Sequence, residues 1–247
     1  MRLYCLACEA FARPIYHFAA QSPHLVDVKL LRIGLHNTPA VLRSVLQQEI
    51  DSVEAGKYDA VIMSYGLCGR ALDGLTSKEL PLIVPRAHDC ITLFLGSRKR
   101  YQEQQDSCPG TYWYTSDYIE RRENENETLA LGAGMEDDLS QVYAGYVEKF
   151  GKDNADYLME VMGAWQKHYQ RAVYLNLGLA EGDTARKLAQ AQAEKRGWRY
   201  EELAGDLGLL QRLVNGEWDG DFLRLEPGER LEMAADDGVI RAVKNHG

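Results

Sequence analysis

Four short apolar runs punctuate the first ninety residues, and helix-patterned segments separate them. Leu3–Cys8, Val26–Ile33, Tyr58–Ser64 and Leu82–Val84 are each built around Leu, Ile or Val, and each has the length of a strand. Glu9–Ala20 reads as a helix, with Pro14 tolerable near its start. Thr38-Pro39 offers a cap with proline at the first helical position. Val41, Leu42, Val45, Leu46 and Ile50 then recur at helical spacing, and Gly56 marks the stop. After Cys90, the residues Ile91, Leu93, Phe94 and Leu95 open another helix. This β-α-β-α-β alternation predicts an α/β fold, a mainly parallel Rossmann-like or flavodoxin-like sheet flanked by helices.

Beyond residue 110 the pattern changes. Thr111–Tyr118 carries Tyr112, Trp113, Tyr114 and Tyr118, which fits an extra strand or a lid over the sheet edge. Leu139–Tyr169 has the apolar spacing of one or two long helices. A second α/β segment follows: a strand over Val173–Leu177, a helix over Thr184–Arg196, a strand over Arg199–Leu203, a helix over Leu207–Val214 and a strand over Phe222–Leu225. The tail after Met233 reads as polar and frayed at Asn245–Gly247. The chain therefore divides into an N-terminal α/β lobe (1–110), an aromatic and helical insertion (111–170) and a C-terminal α/β segment packing on the first (171–247).

The net charge of −9 and the lack of any Lys/Arg-rich run argue against nucleic acid as a partner. Acidity concentrates in Glu120–Asp138, the pattern of an exposed, solvated stretch. No apolar run approaches the ~20 residues that span a bilayer, and Arg2, Glu9 and Arg13 break any signal-peptide pattern at the start. A cytoplasmic location is expected. Five cysteines, an odd number in a reducing compartment, do not make a disulfide framework.

Three of those cysteines close apolar runs. Cys8 ends the first, Cys68 follows the third within Tyr65-Gly66-Leu67-Cys68-Gly69, and Cys90 follows the fourth within Pro85-Arg86-Ala87-His88-Asp89-Cys90. In a 2-1-3-4 parallel order these ends are neighbours at the topological switch point, where ligands of open α/β folds bind. Strands lie ~4.8 Å apart, so three thiols can face one crevice. Three thiolates with an open position suit catalytic zinc, and they also suit a 4Fe–4S iron–sulfur cluster with one iron free. Gly66, Gly69 and Gly74 fit close approach of a substrate to the backbone. Tyr65, Tyr112 and Trp113 fit as pocket walls, and His88 and Arg86 as catalytic companions, Arg86 holding an anionic part of the substrate. Asp89 is equally a helix N-cap. Cys5, inside its strand, is expected in the core, and Cys108, before Pro109-Gly110, is incidental. Glu9 and Arg13 are spaced for an i,i+4 pair. Buried, inert cysteines at strand ends are the plain alternative.

The segments Tyr65–Gly69 and Pro85–Ile91, Leu95-Gly96-Ser97 with Tyr101, and Pro109-Gly110-Thr111-Tyr112 resemble the signature of the DUF1638 family. Gly216-Glu217-Trp218, Asp221-Phe222-Leu223 and Pro227-Gly228 are similar to its C-terminal part. The resemblance carries over Cys8, Cys68, His88 and Cys90 as candidate positions. It implies a setting among anaerobes beside corrinoid-dependent methyl transfer, with a small molecule or a corrinoid protein as partner. Three functions are therefore expected in competition: a zinc-thiolate protein of corrinoid-linked one-carbon transfer, an iron–sulfur protein, and a non-catalytic cofactor carrier or ligand sensor.

Overall fold

The structure, a computed structural model, describes residues 1–121, 147, 152, 169–179 and 183–244. Its larger sheet grows from the four apolar runs. β1 (Arg2–Cys8), β2 (Leu25–Leu31), β3 (Ala60–Ser64) and β4 (Leu82–Pro85) pair in the order β2-β1-β3-β4, all parallel. α1 (Ala12–Gln21) returns the chain from β1 to β2, α2 (Pro39–Asp51) from β2 to β3, and α3 (Cys90–Leu95) follows β4. Side chains alternate cleanly across this sheet. Leu3, Cys5, Ala7, Ala60, Ile62 and Ile83 enter one core with Ile15, Phe94 and Leu213. Leu6, Val61, Met63, Leu82 and Val84 enter another with Leu42, Leu46 and Ile50 of α2. Both faces are covered, so both parities are apolar, as parallel sheets require. Cys5 lies wholly inside the first core, as expected.

A second, three-stranded parallel sheet comes from the later chain. α4 (Arg98–Ser107) leads to β5 (Thr111–Tyr114) and α5 (Ser116–Arg121); β6 (Arg171–Asn176), α6 (Thr184–Arg196), β7 (Arg199–Ala204) and α7 (Gly208–Val214) follow, and the strand order is β5-β6-β7. α6 lays Ala185, Ala189 and Ala193, at i,i+4 spacing, against Tyr112, Tyr114 and Tyr174. Arg171 is buried on β6. It donates to Thr111 Oγ1 at 2.8 Å and to Glu201 Oε2 at 3.0 Å, binding all three strands together.

Strand pairing crosses the segment boundaries of the linear reading. β5 of the middle segment pairs with β6 of the last. β8 (Phe222–Leu225) returns to the larger sheet and pairs antiparallel with β4. The two α/β segments thus make two sheets, with one strand exchanged back. Of the helices expected over Leu139–Tyr169 only Val147, Lys152 and Tyr169 are described, and the acidic stretch beyond Arg121 lies outside the described residues. Among the described residues no helix is long and apolar enough to cross a membrane.

Three expectations are corrected. The first helix begins as a tighter 3-10 turn, Glu9–Phe11, before α1, and Ile33 leaves β2 for a 3-10 turn over Ile33–Asn37. The tail after Met233 carries an element its polar pattern does not announce: β9 (Glu229–Met233) and β10 (Ile240–Lys244) form an antiparallel hairpin, while the fraying expected at Asn245–Gly247 lies outside the described residues. One fully buried residue on each strand, Leu231 and Ile240, docks it, and Leu231 exchanges backbone bonds with Gly74 and Leu75. Finally, Arg13 does not pair with Glu9. Its Nη1 donates to Asp117 Oδ1 at 2.8 Å and its Nη2 to Glu120 Oε2 at 2.5 Å, while Glu9 accepts from Ile33 N–H.

Asp117 is therefore a joint between the two sheets. Its side chain is 3% exposed and also takes the Arg13 backbone N–H and Arg121 Nε. Asp117→Asn removes the charge from these bonds while keeping the shape. It should lower the urea unfolding free energy by about 1–2 kcal/mol, at the low end for charged hydrogen bonds because Arg13 is partly exposed.

Candidate functional site at the carboxyl edge of the sheet

β1, β3 and β4 run parallel, so the segments leaving their carboxyl ends gather on one side. Beyond the strands the backbone keeps pairing: Leu67 N–H donates to Ala87 C=O at 2.8 Å and Cys68 N–H to His88 C=O at 3.0 Å. Gly66 makes this approach feasible. A Cβ there would stand 2.6 Å from the Asp89 Cα. Cys68 then takes a left-handed conformation, φ 45°, followed by Gly69 at 62° and Arg70 at 71°. For a residue with a Cβ that conformation costs about 1–2 kcal/mol, and the turn accepts it while burying the thiol.

The chain after β4 behaves similarly. Asp89 caps α3, accepting from Thr92 N–H at 3.1 Å, and it also accepts from Tyr101 Oη at 3.0 Å. Cys90 is the first residue of α3. Cys8, the last residue of β1, touches both cores. Cys8, Cys68 and Cys90 all line one cavity of about 180 Å³. Tyr65 and Asp89 share its floor. Trp113 of β5, Tyr118 of α5 and Tyr169 close over it from the side of the second sheet, joined by Phe11 and His36. The aromatic stretch after residue 110 therefore supplies both the extra strand and a cover for the sheet edge.

The other predicted site residues are placed elsewhere. His88 is exposed and stacks on Tyr101, ring centroids 5.6 Å apart. Arg86 gives its Nη1 to the carbonyls of Gly238 and Ile240, clamping the hairpin. Tyr112 packs against Tyr114 and Trp198 on the outer face of the second sheet. Gly66 accommodates the protein's own backbone, Gly69 makes a turn, and Gly74, at φ 93°, donates to Leu231 C=O. None of these six lines the cavity. Cys108 stays outside it as well, near the carbonyl of Gly110.

The family model described as "Protein of unknown function (DUF1638)" matches residues 30–214. The chain belongs to this family. The matched span carries Cys68 and Cys90 with Tyr65, Asp89 and Trp113, whereas Cys8 precedes it. No curated protein matches the chain, and no solved structure does.

The electrostatics of this family member's cavity follow from burial. Burial pushes the Cys8 thiol up to about 12. Cys68 and Cys90 are raised further, first by burial, then by the nearby Asp89 carboxylate; Cys8 adds to both, and Cys68 to Cys90. Burial also raises Asp89, against the hydrogen bonds from Thr92 and Tyr101. At neutral pH the cysteines are therefore thiols, weak as nucleophiles until a cation sits beside them. Among the described residues no three His, Cys, Asp or Glu side chains are arranged to hold one metal ion as they stand. A single ion would need the thiols to turn towards a common point.

Two outcomes test this description. Cys68→Gly should be more stable than Cys68→Ala by about 1 kcal/mol in urea denaturation, because only glycine is unstrained at this φ. Iodoacetamide at pH 8, followed by mass mapping, should label Cys5, Cys8, Cys68 and Cys90 at least ~100-fold more slowly in the folded chain than in urea.

Proposed function

We propose that this protein is a metal-thiolate protein of corrinoid-linked one-carbon transfer, with Cys8, Cys68 and Cys90 as thiolate donors and zinc as the metal. One observation carries the reading: three cysteines from three parallel segments line one cavity at the switch point of the sheet. A strained backbone at Cys68 supports it, since left-handed non-glycine residues concentrate at functional positions. Zinc held there would keep its ligands deprotonated and activate a bound thiol. The chain's own part is to exclude water with Phe11, Trp113 and Tyr118, and to present the Tyr65 hydroxyl to a small-molecule substrate. The methyl-transfer setting, with a corrinoid on a partner protein, rests on the family resemblance. The β2-β1-β3-β4 order supports a flavodoxin-like class for the larger sheet. Five free thiols suit a reducing, cytoplasmic setting.

The iron–sulfur reading draws on a different observation. The three cysteines surround a cavity and do not converge on a point, and a 4Fe–4S cluster spreads its ligands around a body of four irons. Elemental analysis of anaerobically purified protein separates the two. About one zinc per chain in the wild type, lost in Cys68→Ala, is the expected result. Iron and sulfide with brown colour would select the cluster instead. Equal metal content in wild type and variant would remove the site altogether.

A further inference from the structure

We propose that the crevice binds a small methylated onium cation: a quaternary ammonium bearing a short oxygen-containing arm. The proposal names the substrate class of the crevice described above. It rests on reading that crevice as a substrate site and does not depend on its metal.

The walls favour a cation that needs no hydrogen bonds. Phe11, Tyr65, Trp113, Tyr118 and Tyr169 bring five aromatic rings to one cavity. Asp89 is the single carboxylate among the described lining residues, and none of them is lysine or arginine. Aromatic faces attract cations by about 0.5–2 kcal/mol each, most strongly when desolvated. An anion would meet Asp89 with no compensating cation, because Arg86 is committed to the hairpin carbonyls. A primary ammonium would demand three acceptors, and Asp89 already accepts from Thr92 and Tyr101. A quaternary ammonium has no N–H to satisfy.

Size and one orphaned hydroxyl define the rest of the guest. A cavity of roughly 150 Å³ accommodates benzene, so about 180 Å³ suits a trimethylammonium head with a two- or three-atom arm. Tyr65 Oη is buried, its residue 3% exposed, and it makes no hydrogen bond among the described residues. An unsatisfied buried hydroxyl costs about 1–3 kcal/mol. An oxygen on the arm would satisfy it.

The test is titration calorimetry on the full chain after chelator treatment, with choline, tetramethylammonium and 3,3-dimethylbutan-1-ol, the neutral carbon isostere of choline. Choline should bind at least ~10-fold more tightly than the isostere. Tyr65→Phe should weaken choline about 5- to 10-fold and leave tetramethylammonium unchanged, because only choline carries the oxygen. Asp89→Asn should weaken both cations while α3 keeps its cap, since asparagine caps as well as aspartate. The proposal is overturned if choline does not bind, or if choline and the isostere bind equally. It is also overturned if Tyr65→Phe weakens both cations alike, which would mean a collapsed cavity and not a lost contact. Metal content measured on the untreated protein keeps the two readings separate. Choline binding without metal would sink the metal-thiolate reading and leave this one, and stoichiometric metal without choline binding would do the reverse.

Discussion

The site depends on two backbone hydrogen bonds that continue the sheet after its strands have ended. Leu67 and Cys68 donate to Ala87 and His88, and so bind the segment leaving β3 to the segment leaving β4. This pairing brings Cys68 beside Asp89 and Cys90, and it exists because residue 66 has no Cβ to strike Asp89. Parallel register does the rest. Ala7 pairs with Ser64 and Ile62 with Ile83, so β1, β3 and β4 present their carboxyl ends together and Cys8 joins the other two. With antiparallel pairing, adjacent strand ends would point to opposite edges, and the three thiols would not share a cavity.

Enclosure sets the chemistry of that cavity. Parallel sheets are covered on both faces, and here the second sheet also covers the carboxyl edge through Trp113 and Tyr118. The cover is tied down by the Arg13–Asp117 bridge, which spans from the α1 end of the first sheet to α5. Excluding water raises the acidic groups within. The thiols are raised and stay protonated, burial raises Asp89 against its hydrogen bonds, and Tyr65 is raised well above the ordinary phenol range. All three kinds of side chain become easier to ionise when a positive charge enters. The two proposed occupants, a metal ion and an onium group, both draw on this property.

Much of this was legible in the sequence. Short apolar runs separated by helical periodicity identify β1 to β4 and their order, and a cysteine at the end of a run is a cysteine at the sheet edge. Asp89 read equally well as a cap, and the structure shows it both capping α3 and lining the cavity. Residues whose roles need a third dimension were not legible. Phe11 and His36 sit in 3-10 turns, and Tyr169 precedes a strand of the other sheet; they reach the cavity by tertiary packing that no local pattern records. Arg86 and His88 were attractive because they neighbour Cys90 in the chain. Just past a strand, however, successive side chains diverge, and here one turns to the hairpin and the other to solvent. The hairpin itself was missed because each strand buries little, and its docking depends on Leu75 and Arg86, more than 140 residues earlier.

The same reasoning explains why proximity in sequence misplaced the cation. Reading Arg86 as an anion-binding group assumed that its charge faces the crevice. Its guanidinium donates instead to carbonyl oxygens of the β9–β10 hairpin, which leaves Asp89 as the one carboxylate, with no arginine or lysine beside it, among the described lining residues. With that guanidinium committed to the scaffold, no arginine or lysine among the described lining residues is there to meet a carboxylate or phosphate, which is why a metal ion or an onium group is proposed in its place. On that proposal the hairpin, which contributes nothing to the cavity wall among the described residues, would act on specificity by occupying Arg86.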